Sequence, residues 1–256
     1  MAELSDDLIN SARQALACLD LTSLNDADTA ADIVALCARA QTPFGPVAAV
    51  CVWPRFVAQA RALLPADIKV AAVANFPDGS LDLARTLADV REIAEAGGDE
   101  IDVVLPYRAL MQGRASECAE FLAEVRHATR PLTLKVIIES GELKTTALIA
   151  QATRLALMAG ADFVKTSTGK TPVSATPQAA RVMLAEIKAS GLPAAGFKAS
   201  GGIRTVADAA VYLALLSDEA RSPRRFRFGA SGLLNDIEAV LSGQTAPQLQ
   251  ASASAY

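Results

Sequence analysis

The sequence predicts a single-domain α/β chain closed into a (β/α)8 TIM barrel, and three observations carry that prediction. Helical and strand-like segments alternate along the whole of the 256 residues. The strand-like segments are almost continuously apolar, as parallel strands covered on both faces must be. They recur about every 30 residues, each followed by a helical stretch, which gives the repeat that closes a barrel of about 250 residues. An open doubly wound sheet is the alternative. Against it, the turn after the first strand, Asp20-Leu21-Thr22-Ser23-Leu24, holds no glycine to cradle a dinucleotide.

In chain order, a short amphipathic helix over Leu4–Leu16 leads into the first strand, Cys18–Thr22. Period-2 and short apolar runs place the other strands at Val47–Val52, Lys69–Asn75, Glu100–Leu105, Thr133–Glu139, Asp162–Thr166, Ala195–Ala199 and Phe226–Gly229. Period-3.6 patterns place helices at Asp28–Ala40, Arg55–Leu64, Leu81–Ala96, Ala115–Ala128, Lys144–Ala159, Pro177–Ser190 and Val206–Leu216, with a further helix opening after Gly232. No linker rich in Pro, Gly or Ser divides the chain before Gly243, so residues 1–243 form the expected barrel domain. Residues 244–256 are small and polar apart from Tyr256, and a mobile tail is expected there.

Composition excludes several classes. The chain is 52% hydrophobic, with a mean hydropathy of +0.28, which is ample material for a core. No run reaches the roughly 18 apolar residues of a membrane span, and the acidic start is unlike a secretory signal, so no membrane partner and a cytoplasmic location are expected. Cys18, Cys37, Cys51 and Cys118 lie far apart with no Cys-x-x-Cys pair, and read as reduced thiols. The single histidine, His127, falls on an amphipathic helix as a surface residue. A Ser-His-Asp triad or a histidine-rich metal site is thereby disfavoured. A net charge of −4 argues against a nucleic-acid surface.

Chemistry enters through lysines set in apolar strands. In Asp162-Phe163-Val164-Lys165-Thr166-Ser167-Thr168-Gly169-Lys170, Lys165 interrupts a buried strand. One βα unit later Gly196-Phe197-Lys198 repeats the pattern. A buried ammonium loses proton affinity, and a second cation nearby lowers it further, which arms an amine for attack on a carbonyl. The bland reading of each lysine is a side chain that snorkels out of a strand end.

In a barrel, polar residues near the C-terminal ends of strands meet at the mouth, which selects Asp20, Asn75, Asp102, Lys135, Lys165 and Lys198. Asp102 is either a structural partner of Lys135 or Lys198 or a carboxylate that relays protons. Asp20 is either a site residue or a turn residue beside Thr22-Ser23. Cys51 reads more readily as core, since no histidine is at hand to activate it. Gly201-Gly202 and Gly229-Ala230-Ser231-Gly232 follow the seventh and eighth strands, where barrels often bind phosphate on backbone N–H groups.

The segments Leu19–Thr22, Asn75-Phe76-Pro77, Asp99–Val104, Lys135–Glu139, Phe163–Lys170, Gly196–Lys198 and Arg227–Ser231 together resemble the deoxyribose-phosphate aldolase family over nearly the full chain. The resemblance implies a Schiff-base aldolase without metal or other cofactor, acting on a small phosphorylated sugar and short aldehydes, as a monomer or homodimer. It implies that Lys165 forms the imine, that Lys198 perturbs it and assists proton transfer, and that Asp102 joins the proton relay. It places Gly169, Gly201, Gly202 and Ser231 around the phosphate, with Asp20, Cys51, Lys135, Thr168, Lys170 and Gly232 completing the expected substrate site. Tyr256 matches a C-terminal tyrosine of longer family members. Two departures stand out: Ser231 is followed by Gly232 rather than a second serine, and Ala199-Ser200 replaces a proline-alanine pair. The rival readings are a barrel isomerase with Asp102 as base and a catalytically silent sugar-phosphate binder.

Overall fold

A computed structural model describes residues 5–243. Eight parallel strands form a closed barrel in which chain order and spatial order coincide: Leu19–Thr22, Ala49–Val52, Lys69–Ala74, Glu100–Val104, Thr133–Ile137, Phe163–Lys165, Gly196–Ser200 and Phe226–Ala230. The last strand pairs with the first, Leu19 opposite Phe228, which closes the ring. Tyr256 and the expected tail lie outside the described residues.

Outward-facing strand residues, among them Val50, Ile101, Val103, Val136, Val164, Phe197, Phe226 and Phe228, are buried against the surrounding helices. Each burial of a large apolar side chain is worth about 1.5–3 kcal/mol, so the main core is the sheet–helix layer. Local signals start the helices. Thr29 and Thr205 form capping boxes with Asp32 and Asp208 at the heads of Ala30–Arg39 and Val206–Leu213. Thr176 caps Pro177–Ala189, whose first residue is a proline with no N–H to lose.

Three departures from the predicted elements have physical causes. The strand expected over Thr133–Glu139 stops at Ile137, because Glu139 turns left-handed (φ +54°) and starts a one-turn helix, Ser140–Leu143. Lys144 (φ +60°) then breaks the chain, so the following helix is Thr146–Met158, capped by Thr145. Asn75 also lies outside its strand at φ +54° and does not join the barrel interior. Its side chain ties the following loop instead, donating to the carbonyls of Ser80 and Val104 and accepting from the Ser80 N–H and hydroxyl. The short helix Tyr107–Met111 and the ribbon of Gln41–Thr42 with Gly45–Pro46 have no counterpart in the predicted elements.

Candidate active site

Strand alternation sends Asp20, Glu100, Asp102, Lys135, Lys165, Lys198 and Arg227 into the barrel, where each is almost wholly buried. Seven ionisable groups in one interior can persist only as a bonded network, since an isolated buried charge is too costly. The network centres on Asp102. Its Oδ1 accepts from Lys135 Nζ at 2.8 Å, and its Oδ2 accepts from both Lys165 Nζ and Lys198 Nζ, each at 2.8 Å. Lys198 also donates to Asp20 Oδ2 at 2.5 Å, and Lys135 lies 2.5 Å from Glu100 Oε2. Below them Arg227 donates to Asp20 Oδ1 (2.6 Å) and Glu100 Oε1 (2.8 Å). Space for Lys198 comes from Gly229: a Cβ there would lie 3.0 Å from Lys198 Cε and 2.6 Å from Ser200 Oγ.

Among the described residues the ion-paired groups do not balance: four cations, Lys135, Lys165, Lys198 and Arg227, meet three carboxylates, Asp20, Glu100 and Asp102, while Glu139, also buried and within electrostatic reach of Lys165, forms no ion pair with it. One cation is in excess, and the group with fewest anionic partners should be first to shed its proton. That group is Lys165, which has Asp102 alone, whereas Lys198 has two carboxylates and Lys135 three. The pKa directions agree. Burial holds Lys165 below the ordinary lysine range, with Lys198 adding to the effect and Asp102 opposing it. Burial acts in the same direction on Lys198, yet Asp102 and Asp20 reverse it and hold that amine well above its usual value. Lys135 is raised likewise by Asp102 and Glu100 against burial. Burial alone would push Asp102 up, but Lys135, Lys165 and Lys198 hold it well below the carboxylate range. The two strand lysines expected to repel each other do meet, with a carboxylate oxygen of Asp102 shared between them.

Cys51 sits fully buried in the second strand, its thiol pushed up by burial and by Asp102. Asp20 and Lys135 are equally buried and have their polar atoms taken by protein partners.

Above Lys165 the loops after three strands meet. Gly169, Gly201 and Gly202 all take positive φ (81°, 84° and 80°), which only glycine adopts without strain. Gly201 packs so closely that a Cβ would lie 2.6 Å from the Ser174 side chain and 3.4 Å from Gly169 Cα. The Gly201 N–H donates to the Gly229 carbonyl (3.2 Å), tying this loop to the last strand. Beyond that strand, Ser231 is exposed and Gly232 is half-buried at the head of the helix Leu233–Leu241. Lys170 reaches across the mouth to the Leu24 carbonyl at 2.7 Å.

Sequence reasoning missed Glu100, Arg227 and Glu139. The carboxylate of Glu139 accepts from the Thr168 N–H (3.3 Å), the Thr168 hydroxyl (2.5 Å) and the Thr171 hydroxyl (3.2 Å). Thr168 Oγ1 in turn accepts from the Lys170 N–H, so one buried carboxyl fixes the whole loop that follows Lys165. Burial pushes that carboxyl up, against its hydrogen bonds from Thr168.

A buried lysine biased toward its neutral form, inside the mouth of a parallel barrel, equips an enzyme to work on carbonyl compounds. The chain belongs to the DeoC/LacD aldolase family, whose model matches residues 14–238. It is 50% identical over 235 residues to the deoxyribose-phosphate aldolase of Agrobacterium fabrum, covering 89% of this chain and 90% of that one. Among solved structures it is similar to a candidate deoxyribose-phosphate aldolase from Coccidioides immitis, with 29% identity, a TM-score of 0.79 and coverage of 89% and 87% of the two chains. A deoxyribose phosphate aldolase from Aeropyrum pernix, described as tetrameric, matches at 24% identity and a TM-score of 0.75 over 93% and 99%, which bears on the fold alone.

Proposed function

We propose that this aldolase reversibly cleaves 2-deoxy-D-ribose 5-phosphate to D-glyceraldehyde 3-phosphate and acetaldehyde, through an imine on Lys165. The observation that carries this reading is the surplus cation of the barrel interior, which falls on Lys165 and favours its neutral, nucleophilic form. In the synthetic direction Lys165 Nζ attacks the carbonyl carbon of acetaldehyde, and loss of water gives a protonated imine. The cationic nitrogen then draws electrons as a proton leaves the methyl carbon, and the resulting enamine carbon bonds to the second aldehyde. Water hydrolyses the new imine and frees Lys165.

Asp102 Oδ2 lies 2.8 Å from the reacting nitrogen and Lys198 is joined to it through that same oxygen, and these two are assigned the proton transfers. Asp20 and Lys135 hold those two in place, with Cys51 beside them. Gly169, Gly202, Ser231 and Gly232 are assigned to the phosphate through backbone N–H groups, with Gly201, whose own N–H is bonded to the Gly229 carbonyl, shaping the loop around it and Thr168 and Lys170 bracing the loop before it. Tyr256 is assigned to proton exchange at the methyl carbon. Among the described residues no helix is long and apolar enough to cross a membrane, and the role fits deoxyribose catabolism in the cytoplasm. The test is borohydride trapping with acetaldehyde, which should add an ethyl group at Lys165. An adduct that forms equally well in Lys165→Ala would overturn the assignment.

A further inference from the structure

The end of the barrel opposite the lysines holds a second concavity that the aldol reaction does not use. Its walls include Ala48, which precedes the second strand, Lys69, which opens the third, and Arg227, next to the start of the last. The cavity measures about 530 Å³, within the usual range for small-molecule sites. Barrel enzymes place their chemistry at the other end, so this is not a second entrance for aldehydes.

The charge of its lining is opposite to that of the chain. Four cations, Arg13, Lys69, Arg224 and Arg227, face one carboxylate, Asp67, in a protein of net charge −4. Two of the four are already engaged: Lys69 lies 3.9 Å from Asp99, and Arg227 spends four of its five N–H donors on Asp20, Glu100 and the Pro223 carbonyl. Arg13 and Arg224 are exposed and make no ion pair or hydrogen bond among the described residues. The remaining wall is apolar, with Pro223 and the half-exposed ring of Phe44. Two uncommitted guanidiniums beside an aromatic face, in a cavity large enough for a ring, have one complementary ligand class.

The structure assigns this pocket as a binding site for a small organic anion: a flat apolar body bearing a phosphate, sulfonate or carboxylate that Arg13 and Arg224 clasp. The two clasping residues, Arg13 and Arg224, lie outside the catalytic network, which meets this pocket only at Arg227, and the site does not depend on which aldehyde the enzyme uses.

The probe is 8-anilinonaphthalene-1-sulfonate, titrated by fluorescence against the full chain with and without saturating 2-deoxyribose 5-phosphate. Saturable binding is expected that the sugar phosphate does not displace. In Arg224→Glu, reversal of one charge beside the sulfonate should weaken binding about tenfold, while aldol turnover stays at the wild-type level. Should that variant fold poorly, Arg13→Gln is expected to weaken the same titration by about threefold. Equal affinity in wild type and either folded variant, absence of saturable binding, or displacement by the sugar phosphate would overturn the proposal. None of these results bears on borohydride trapping at Lys165, which tests the aldolase reading separately.

Discussion

Replacing Lys198 by methionine tests whether a neighbouring charge, and not burial alone, disarms the proton on Lys165. Both ammonium groups lie 2.8 Å from one oxygen of Asp102, so they are no more than about 5.6 Å apart, and at an effective dielectric of about 20 they repel by about 3 kcal/mol. Removing that repulsion should lower the deprotonation constant of Lys165 by about a hundredfold. Methionine keeps the length of the aliphatic stem, so the space beside Gly229 stays filled, and Asp20 retains Arg227 at 2.6 Å. The assay is the rate of borohydride trapping with acetaldehyde across pH 5 to 10, read by mass at Lys165, which separates imine formation from later steps. The trapping profile should move to higher pH, with little trapping left at neutrality. A profile that keeps its wild-type position while turnover falls would refute the reasoning, because burial alone would then set the protonation of Lys165.

Other outcomes follow from the same network. Asp102→Asn leaves three lysines sharing a buried site without their common anion and should cost about 3–5 kcal/mol by urea denaturation at pH 7. Lys165→Met abolishes trapping but removes the surplus cation, so its thermal midpoint should equal or exceed the wild type's at pH 7. Because the folded pKa of Lys165 is depressed, its penalty is full below that pKa and is relieved as pH rises toward the ordinary lysine value, so any advantage of the variant should shrink in alkali. Glu139→Ala strips the Thr168 N–H and hydroxyl of their buried acceptor, which should cost about 2 kcal/mol and raise KM for the phosphorylated sugar. Gly202→Val puts a branched side chain at φ +80°, and should raise KM for 2-deoxyribose 5-phosphate far more than for unphosphorylated 2-deoxyribose. Equal effects on the two sugars would place the phosphate elsewhere.

The sequence made some of this network legible and hid the rest for a definable reason. Lys165, Lys198 and Asp102 stand out because each interrupts an apolar run, so the cost of burying them is visible without coordinates. Glu100 follows Asp99, and Arg227 follows Arg224 and Arg225 almost directly, so both look like the solvated edge of a strand. Only the register shows that they face inward, with Glu100 opposite Thr133 and Arg227 opposite Lys198. Glu139 could be read only as the end of an apolar strand, because the hydroxyl that holds its carboxylate lies 29 residues away, on Thr168. Asn75 failed for the converse reason: its spacing placed it in the barrel, but loop carbonyls satisfy its amide better than the charged interior would.

The ion pair of Arg227 with Glu100 and Asp20 stoppers the lower end of the barrel, and it sets the traffic of the reaction. With that floor in place and Lys165 only 2% exposed, the proposed path for aldehydes runs past the loops of Gly169, Gly201 and Ser231. A sugar phosphate held at that rim, as proposed above, would bar the way to anything deeper. On that placement, glyceraldehyde 3-phosphate would depart before acetaldehyde in cleavage, and in synthesis acetaldehyde would enter first.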